Sequence, residues 1–553
     1  MASPPSATAQ DSAEPSPASA NQVRLVVVIN VDSMIPEHLD RLDLWWKGGF
    51  RRLLDYGTVY TNAKLPYART ESAPGHASFG TGYLPANHGI TRNALTDPLT
   101  GRQVLCVQDE KVRTVSSSDW LVAESGSASS ARLRQEGWAG ALRSTWPGSR
   151  SISISGKGTS AALIAGKSPN LALWWDSFGR GFVSSSAYTE ELPAWIGEWN
   201  KSWPKKARGW DWVSDLPGNP DLTQTAPDLR LGEAAIGGRE ALFPYLALEL
   251  PEVLEPRDQA GLASRVYITP LMDRMVCDLA KQAVAAGFGA DDQVDLIALS
   301  LSACDLLASA AGPYSLEVTE ALLDADKELG ALFDLFDAEV GKDKWTVVLS
   351  SDHGLLELPE GVHGDDSGAV RLRVRARRQA LQEVRSLLEA RFGQSFGANL
   401  TGPADGLTFS GRMLEEVDID RAELRKVAAE ALEALPWVAA AYTRDELSAT
   451  AGALSDPWMI LAQGSHLQDG GVEVEIRLAN RHLMGMQTGT RSGSTYSYDR
   501  RQPLIFLGPG FPPKRISASA SSLDALPTVL GRIGSSGREK FDGHDLLGSA
   551  DQD

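Results

Sequence analysis

Three separated runs of β-branched and aliphatic residues each stop at an acid, and this repetition constrains the fold more than any other feature of the chain. "RLVVVINVD" stops at Asp32, "VDLIALSLSACD" at Asp305, and "WTVVLSSDHG" at Asp352 with His353 beside it. A continuous apolar run, unlike an alternating one, fits a strand covered on both faces, as in a parallel sheet between layers of helices. Between the runs lie amphipathic patterns such as "SLEVTEALLDADKELGALFDLFDAEV" (315–340), with apolar residues every three or four positions. The alternation predicts an α/β fold, a mostly parallel central sheet flanked by helices. Ligands of such sheets gather outside the carboxyl ends of the strands, which is where these acids would stand.

Residues 367–440 break the pattern with charged amphipathic helices such as "AVRLRVRARRQALQEVRSLLEARFG". They predict an inserted smaller α+β lobe over 356–488, with the α/β core made of 22–355 and 489–553 and the sheet resuming at "PLIFLGPGF" (503–511). Residues 1–21, rich in Pro, Ser and Ala and without an apolar signal-peptide core, read as a disordered tail or linker. No apolar run is long enough to span a bilayer, so no membrane span is expected. The formal charge of −18 argues against a nucleic-acid or anionic-membrane partner, because no basic field would gather phosphates at long range. It leaves open a small phosphate ester in a local cationic pocket. Three cysteines (Cys106, Cys277, Cys304) are too few for a disulfide scaffold. The sequence is silent on oligomeric state.

The segment "TESAPGHASFGTGYLPANHGITRN" (70–93) is too broken by glycine and proline to be ordinary core. Pro74 suits the first turn of a helix, which puts Ser72 at its positive end, where free amides stabilise an anion. Taken alone, Ser72 is an N-cap. Asp32 and the Asp352–His353 pair alter that reading. Two carboxylates and an imidazole at strand ends can hold a divalent metal, and a metal lowers the pKa of a coordinated hydroxyl until it becomes a nucleophile.

On these motifs, together with "GFVSSSAYTEELPAWIGEWN" (181–200), "AAGPYSLEVTEALLDADKELGALFD" (310–334) and "YSYDRRQPLIFLGPG" (496–510), the chain resembles the alkaline phosphatase superfamily. More narrowly, it resembles bacterial alkaline phosphatases related to type I phosphodiesterase/nucleotide pyrophosphatases. The resemblance implies that Asp32, Asp352 and His353 ligate one metal, which Ser72 also touches, and that Ser72 is the nucleophile that becomes phosphorylated. It implies further that Asn93 contacts a phosphoryl oxygen and that Lys157 neutralises the transferred group. The implied metal is zinc, with manganese or calcium as alternatives. The implied substrate is a small phosphate monoester or diester, and the implied location is periplasmic or secreted.

Three positions depart from the family's pattern. Its second metal uses an aspartate, a histidine four residues later and a late histidine. Asp305 is present, but Ser309 and Ser492 stand where the histidines belong, and Thr159 replaces an arginine. A serine hydroxyl is a poor zinc ligand beside imidazole, so the expectation is one well-formed metal site and a weak second site at Asp305. Loss of the arginine weakens selection for dianionic monoesters and favours diesters or phosphonates. Arg491, next to Ser492, offers a guanidinium that can partly replace the missing charge. His363 reads as an exposed loop residue, His76 and His88 as bonding locally within 70–93, Cys304 as packing, and the tryptophan-rich 199–212 as surface packing for the lobe. Two functions stay open: a metal-dependent phosphate ester hydrolase, or a catalytically impaired relative that binds a phosphorylated ligand or a partner.

Overall fold

The computed structural model describes residues 23–548 except 97–102, 119–125, 217–224, 361–368, 397–399, 402–405, 410–418, 450–455, 469–470 and 536–539. The expected tail 1–21 and His363 lie outside the described residues. Apart from two short antiparallel pairs (Ala94–Thr96 with Gln103–Leu105, Gln108–Asp109 with Ser127–Ala128), the strands in chain order begin with β1 (Leu25–Val31), β2 (Thr58–Lys64), β3 (Thr114–Val115), β4 (Ser151–Ser155), β5 (Leu171–Asp176), β6 (Gly181–Ser185), β7 (Asp295–Leu301) and β8 (Trp345–Ser350). Six more follow: β9 (Val370–Leu372), β10 (Leu400–Thr401), β11 (Gly406–Phe409), β12 (Val438–Thr443), β13 (Val474–Leu478) and β14 (His482–Met484). The chain ends with β15 (Arg501–Leu507) and β16 (Lys514–Ala520).

Ten of these form one sheet in the order β16-β2-β15-β8-β1-β7-β4-β5-β6-β3. Its centre, β8-β1-β7-β4-β5, is parallel throughout. The returning β15 runs antiparallel to β8, so the sheet resumes at 501–507 with its direction reversed. The acid-terminated runs are the three middle strands, β7, β1 and β8. Every residue of each is buried, because successive side chains enter opposite layers. In β1, Leu25, Val27, Ile29 and Val31 join one core cluster, while Val26 and Val28 join another on the far face.

The helices that matter for the site are α1 (Ser72–Thr81), α2 (Gly158–Leu163), α3 (Ala194–Ala207), α4 (Leu271–Ala285), α5 (Ala303–Ala311) and α6 (Leu316–Phe336). Trp199, Trp203 and Trp212 are buried in the large core cluster beside the sheet. The tryptophan-rich stretch therefore packs the main core and not the lobe, because α3 lies against β6 and α4. Cys304 is buried in the same cluster, and all three cysteines are free and buried.

Between β8 and β15 the chain makes a second sheet, β10-β11-β13-β12, with α7 (Val374–Phe392) and α8 (Arg421–Glu433) closing a hydrophobic cluster of its own. At its base β9 pairs in parallel with β14, Val370 opposite His482. No helix among the described residues is long and apolar enough to cross a membrane.

Candidate active site

Register builds the site. Asn30 of β1 stands opposite Ser300 of β7 and Ser350 of β8, and Ser300 stands opposite Ser155 of β4. Two residues beyond this row, at the carboxyl ends, come Asp32, Asp352 and Lys157. Three of these four strands thus deliver charged side chains to one edge, where an open α/β sheet binds its ligand. Asp32 and Asp352 are fully buried.

Ser72 opens α1. The N-cap is Glu71, in extended conformation, and no side chain caps the helix, so the Ser72 hydroxyl is not spent as a cap. It lies 3.0 Å from His353 Nε2. His353 Nδ1 is 2.8 Å from Gly354 O, to which it can donate only as N–H, leaving the Nε2 lone pair facing the site. Asn93 approaches from the other side. Its Oδ1 accepts from the Ala73 amide at 2.7 Å, which leaves its NH2 group as the available donor.

His76, one helical turn after Ser72, does more than bond locally. Its Nδ1 is 2.8 Å from Ser72 O, within the segment. Its Nε2, however, lies 3.0 Å from Ser300 Oγ and 3.2 Å from Asp32 Oδ1. His76, Asp32 and Asp352 each offer a ligand atom within 4.8 Å of the others. Its spacing of four from Ser72, which places both on one helix face, was the signal for this. His88 does stay within its segment, with Nε2 3.0 Å from Ser78 Oγ.

Ser33 was also missed. It is a non-glycine residue at φ +60, a backbone conformation that persists only where its surroundings hold it. Its amide donates to Asp352 Oδ1 at 3.0 Å and its hydroxyl to Asp305 Oδ1 at 2.5 Å, so the turn after β1 ties the acids of β7 and β8 together.

Lys157 bridges the remaining oxygens, 3.0 Å from Asp32 Oδ2 and 2.5 Å from Asp305 Oδ2. Burial would raise the Asp32 carboxyl, but Lys157 and His76 outweigh it and hold it well below the usual carboxylate range. Burial would lower the Lys157 ammonium, and Asp305 and Asp32 raise it well above its ordinary value. Asp352 has no such cation. Burial raises its pKa, and His353 only partly opposes that.

Among the described residues, the group whose ligand atoms lie close enough together for one divalent cation is Asp32, His76 and Asp352, with His353 beside Asp352. Asp352 Oδ2 is buried and accepts no hydrogen bond, and it lies 3.2 Å from His353 Nε2, a nitrogen and an oxygen of the kind zinc takes. The second set does not fit. Thr490 N donates to Ser309 O at 2.8 Å and Ser492 Oγ lies 3.3 Å from His353 Nε2, so these segments do meet, but they bring hydroxyls. Asp305 is already held by Lys157 and Ser33. Thr159 lies in the first turn of α2.

A match to the type I phosphodiesterase / nucleotide pyrophosphatase family covers residues 26–385. Over 93% of its length the chain is 28% identical to alkaline phosphatase PhoV of Synechococcus elongatus, across 90% of that protein. Over 92% it is 26% identical to alkaline phosphatase PafA of Elizabethkingia meningoseptica, again across 90%. The fold superimposes on the crystal structure of wild-type alkaline phosphatase PafA with a TM-score of 0.83, at 24% identity, covering 95% of this chain and 98% of that one.

Proposed function

The chain belongs to the type I phosphodiesterase / nucleotide pyrophosphatase family, and on that premise we propose that it hydrolyses small phosphate esters by phosphoryl transfer to Ser72. It is a phosphoric ester hydrolase of the alkaline phosphatase and phosphodiesterase type. The observation that carries the serine assignment is a hydroxyl with no capping duty, 3.0 Å from an imidazole nitrogen inside a ring of buried carboxylates.

The Ser72 oxygen attacks phosphorus, the bond from phosphorus to the ester oxygen breaks, and the hydroxyl proton reaches the departing alcohol through solvent. Water then cleaves the phosphoserine and frees Ser72, releasing inorganic phosphate when the substrate is a monoester and the remaining monoester when it is a diester. The α1 amides and the Asn93 NH2 group meet the equatorial oxygens, where charge sits in the transition state. Asp32, Asp352 and His353 would hold one divalent cation, zinc by the chemistry of the donors, and a bound cation lowers the pKa of a nearby hydroxyl and offsets phosphoryl charge. Lys157 supplies a fixed ammonium on the Asp305 side, where Ser309 and Ser492 leave only a weak second metal site. Without an arginine at Thr159, the dianionic monoester loses one specific partner, which favours diesters. A periplasmic or secreted location accords with this activity.

Metal analysis of the purified protein, joined to assays on nitrophenyl phosphate and bis-nitrophenyl phosphate, tests the reading. About one equivalent of metal by the donor count, turnover of at least one ester, and its loss in Ser72→Ala are expected. Turnover that survives in Ser72→Ala would remove the serine from the reaction. No metal and no turnover with either ester would leave a binding protein.

A further inference from the structure

Glu71, which precedes Ser72 in the chain, lines a cavity of about 350 Å³ together with Asn93, Ser492 and residues of β13 and β14. Its lining carries Arg69, Arg92, Arg477 and Arg491 against Glu71, Glu475 and Asp499. Asp499 is buried, which lifts its pKa to about 7, so it answers only part of one positive charge near neutrality. In a chain of formal charge −18, this is a local excess of cations where the organic part of a bound ester would lie.

The arginines differ in what holds them. Arg69 pairs with Glu475 at 3.1 Å, Arg92 lies 3.9 Å from Glu71, and Arg477 sits over the Trp458 ring at 4.6 Å. Among the described residues Arg491 makes no hydrogen bond, ion pair or ring contact, while its neighbour Ser492 reaches His353 at 3.3 Å. A guanidinium keeps its charge throughout the accessible pH range and presents a planar fork suited to a carboxylate or phosphate. The lining is also partly apolar: Tyr496 and Tyr498, stacked with centroids 5.8 Å apart, share it with Leu483 and Met484.

We propose that this cavity receives the alcohol portion of the substrate and that Arg491 selects esters whose alcohol bears a second anionic group, a carboxylate or a further phosphate. This rests on the phosphoryl transfer proposed above. Arg491 then acts on specificity: it binds a part of the substrate that does not react.

The test compares 3-carboxyphenyl phosphate with its neutral counterpart, 3-carbamoylphenyl phosphate, as a ratio of kcat/KM within each protein. The wild type should favour the carboxylate by roughly tenfold, the size of one charge-assisted pair. Arg491→Met should bring the ratio to about one, and Arg491→Lys should keep part of it. A wild-type ratio near one, or an unchanged ratio in Arg491→Met, overturns the assignment while leaving Ser72 chemistry intact. Calorimetric binding of the same two compounds to Ser72→Ala separates the two claims. Tighter binding of the carboxylate that disappears in Ser72→Ala/Arg491→Met supports the cavity even if no turnover is seen, and equal binding refutes it.

Discussion

Asp273 lies beneath the active site, not in it. Only 2% exposed, it accepts hydrogen bonds from the Ser302 and Ala303 amides at 2.8 and 3.2 Å and so anchors the start of α5, which carries Asp305. Burial lifts its pKa to about 8, against 3.8 for the free side chain. A raised carboxyl means the folded state holds a proton that the unfolded chain has released. Its stabilisation is therefore complete below about pH 4 and is lost as the pH climbs towards 8. Asp273→Asn removes the titration, so thermal melts should show the variant gaining on wild type from pH 5 to about pH 8, by roughly 1.4 kcal/mol per pH unit, and levelling off above. A gap independent of pH would mean that this carboxyl does not titrate across that range. At this scale the sequence was readable where a residue follows the end of a strand, as at Asp32 and Asp352, whereas Asp305 stands in the first turn of α5, beyond β7. It was not readable for His76 and Ser33, whose partners are set by register between distant strands. The cluster of Arg69, Arg92 and Arg491 was equally hidden, since segments far apart in the chain supply it.

Among the elements, α1 decides how Ser72 meets the Asp352–His353 turn. The helix can press against the turn after β8 because residue 75 is glycine: a Cβ there would lie 2.2 Å from the Asp352 carbonyl oxygen. Gly75→Ala must push α1 and the Asp352–His353 turn apart. Denaturant titration should show a loss of about 1–3 kcal/mol, the usual range for overpacking. Because a displacement near 1 Å can lower a rate by about a hundredfold, kcat/KM should fall by more than stability alone explains. Gly261→Ala, in a helix where an added Cβ meets nothing within 4 Å, is the control and should be neutral or slightly stabilising. Equal behaviour of the two variants would show that close packing at residue 75 does not matter. The apolar runs and the amphipathic pattern of α6 made the parallel centre legible, since periodicity reports which faces are buried. The reversal at β15 had no such signal, because a strand buried on both faces reads alike in either direction.

For the molecule as a whole, we propose that residues 356–488 form a separable insertion. The pairing of Val370 with His482 keeps the ends of the segment a strand's width apart. Replacing 373–481 by a Gly/Ser linker of about six residues, enough to cross that gap and turn back, should leave a core that melts cooperatively. The same excision removes Tyr442, Glu475 and Arg477 from the cavity wall, so discrimination between anionic and neutral leaving groups should weaken while Ser72 stays in place. An insoluble or non-cooperative product would show that the lobe is part of the core.

The position of β1 has a consequence for biosynthesis. Its seven residues, six of them apolar, leave the ribosome long before the neighbours that cover its edges, β7 and β8, which begin only at Asp295 and Trp345. At roughly 5–20 residues per second the nascent chain carries this sticky ribbon unpaired for tens of seconds. Throughout that interval it is a natural client for a holding chaperone, or for a translocase that accepts only unfolded cargo.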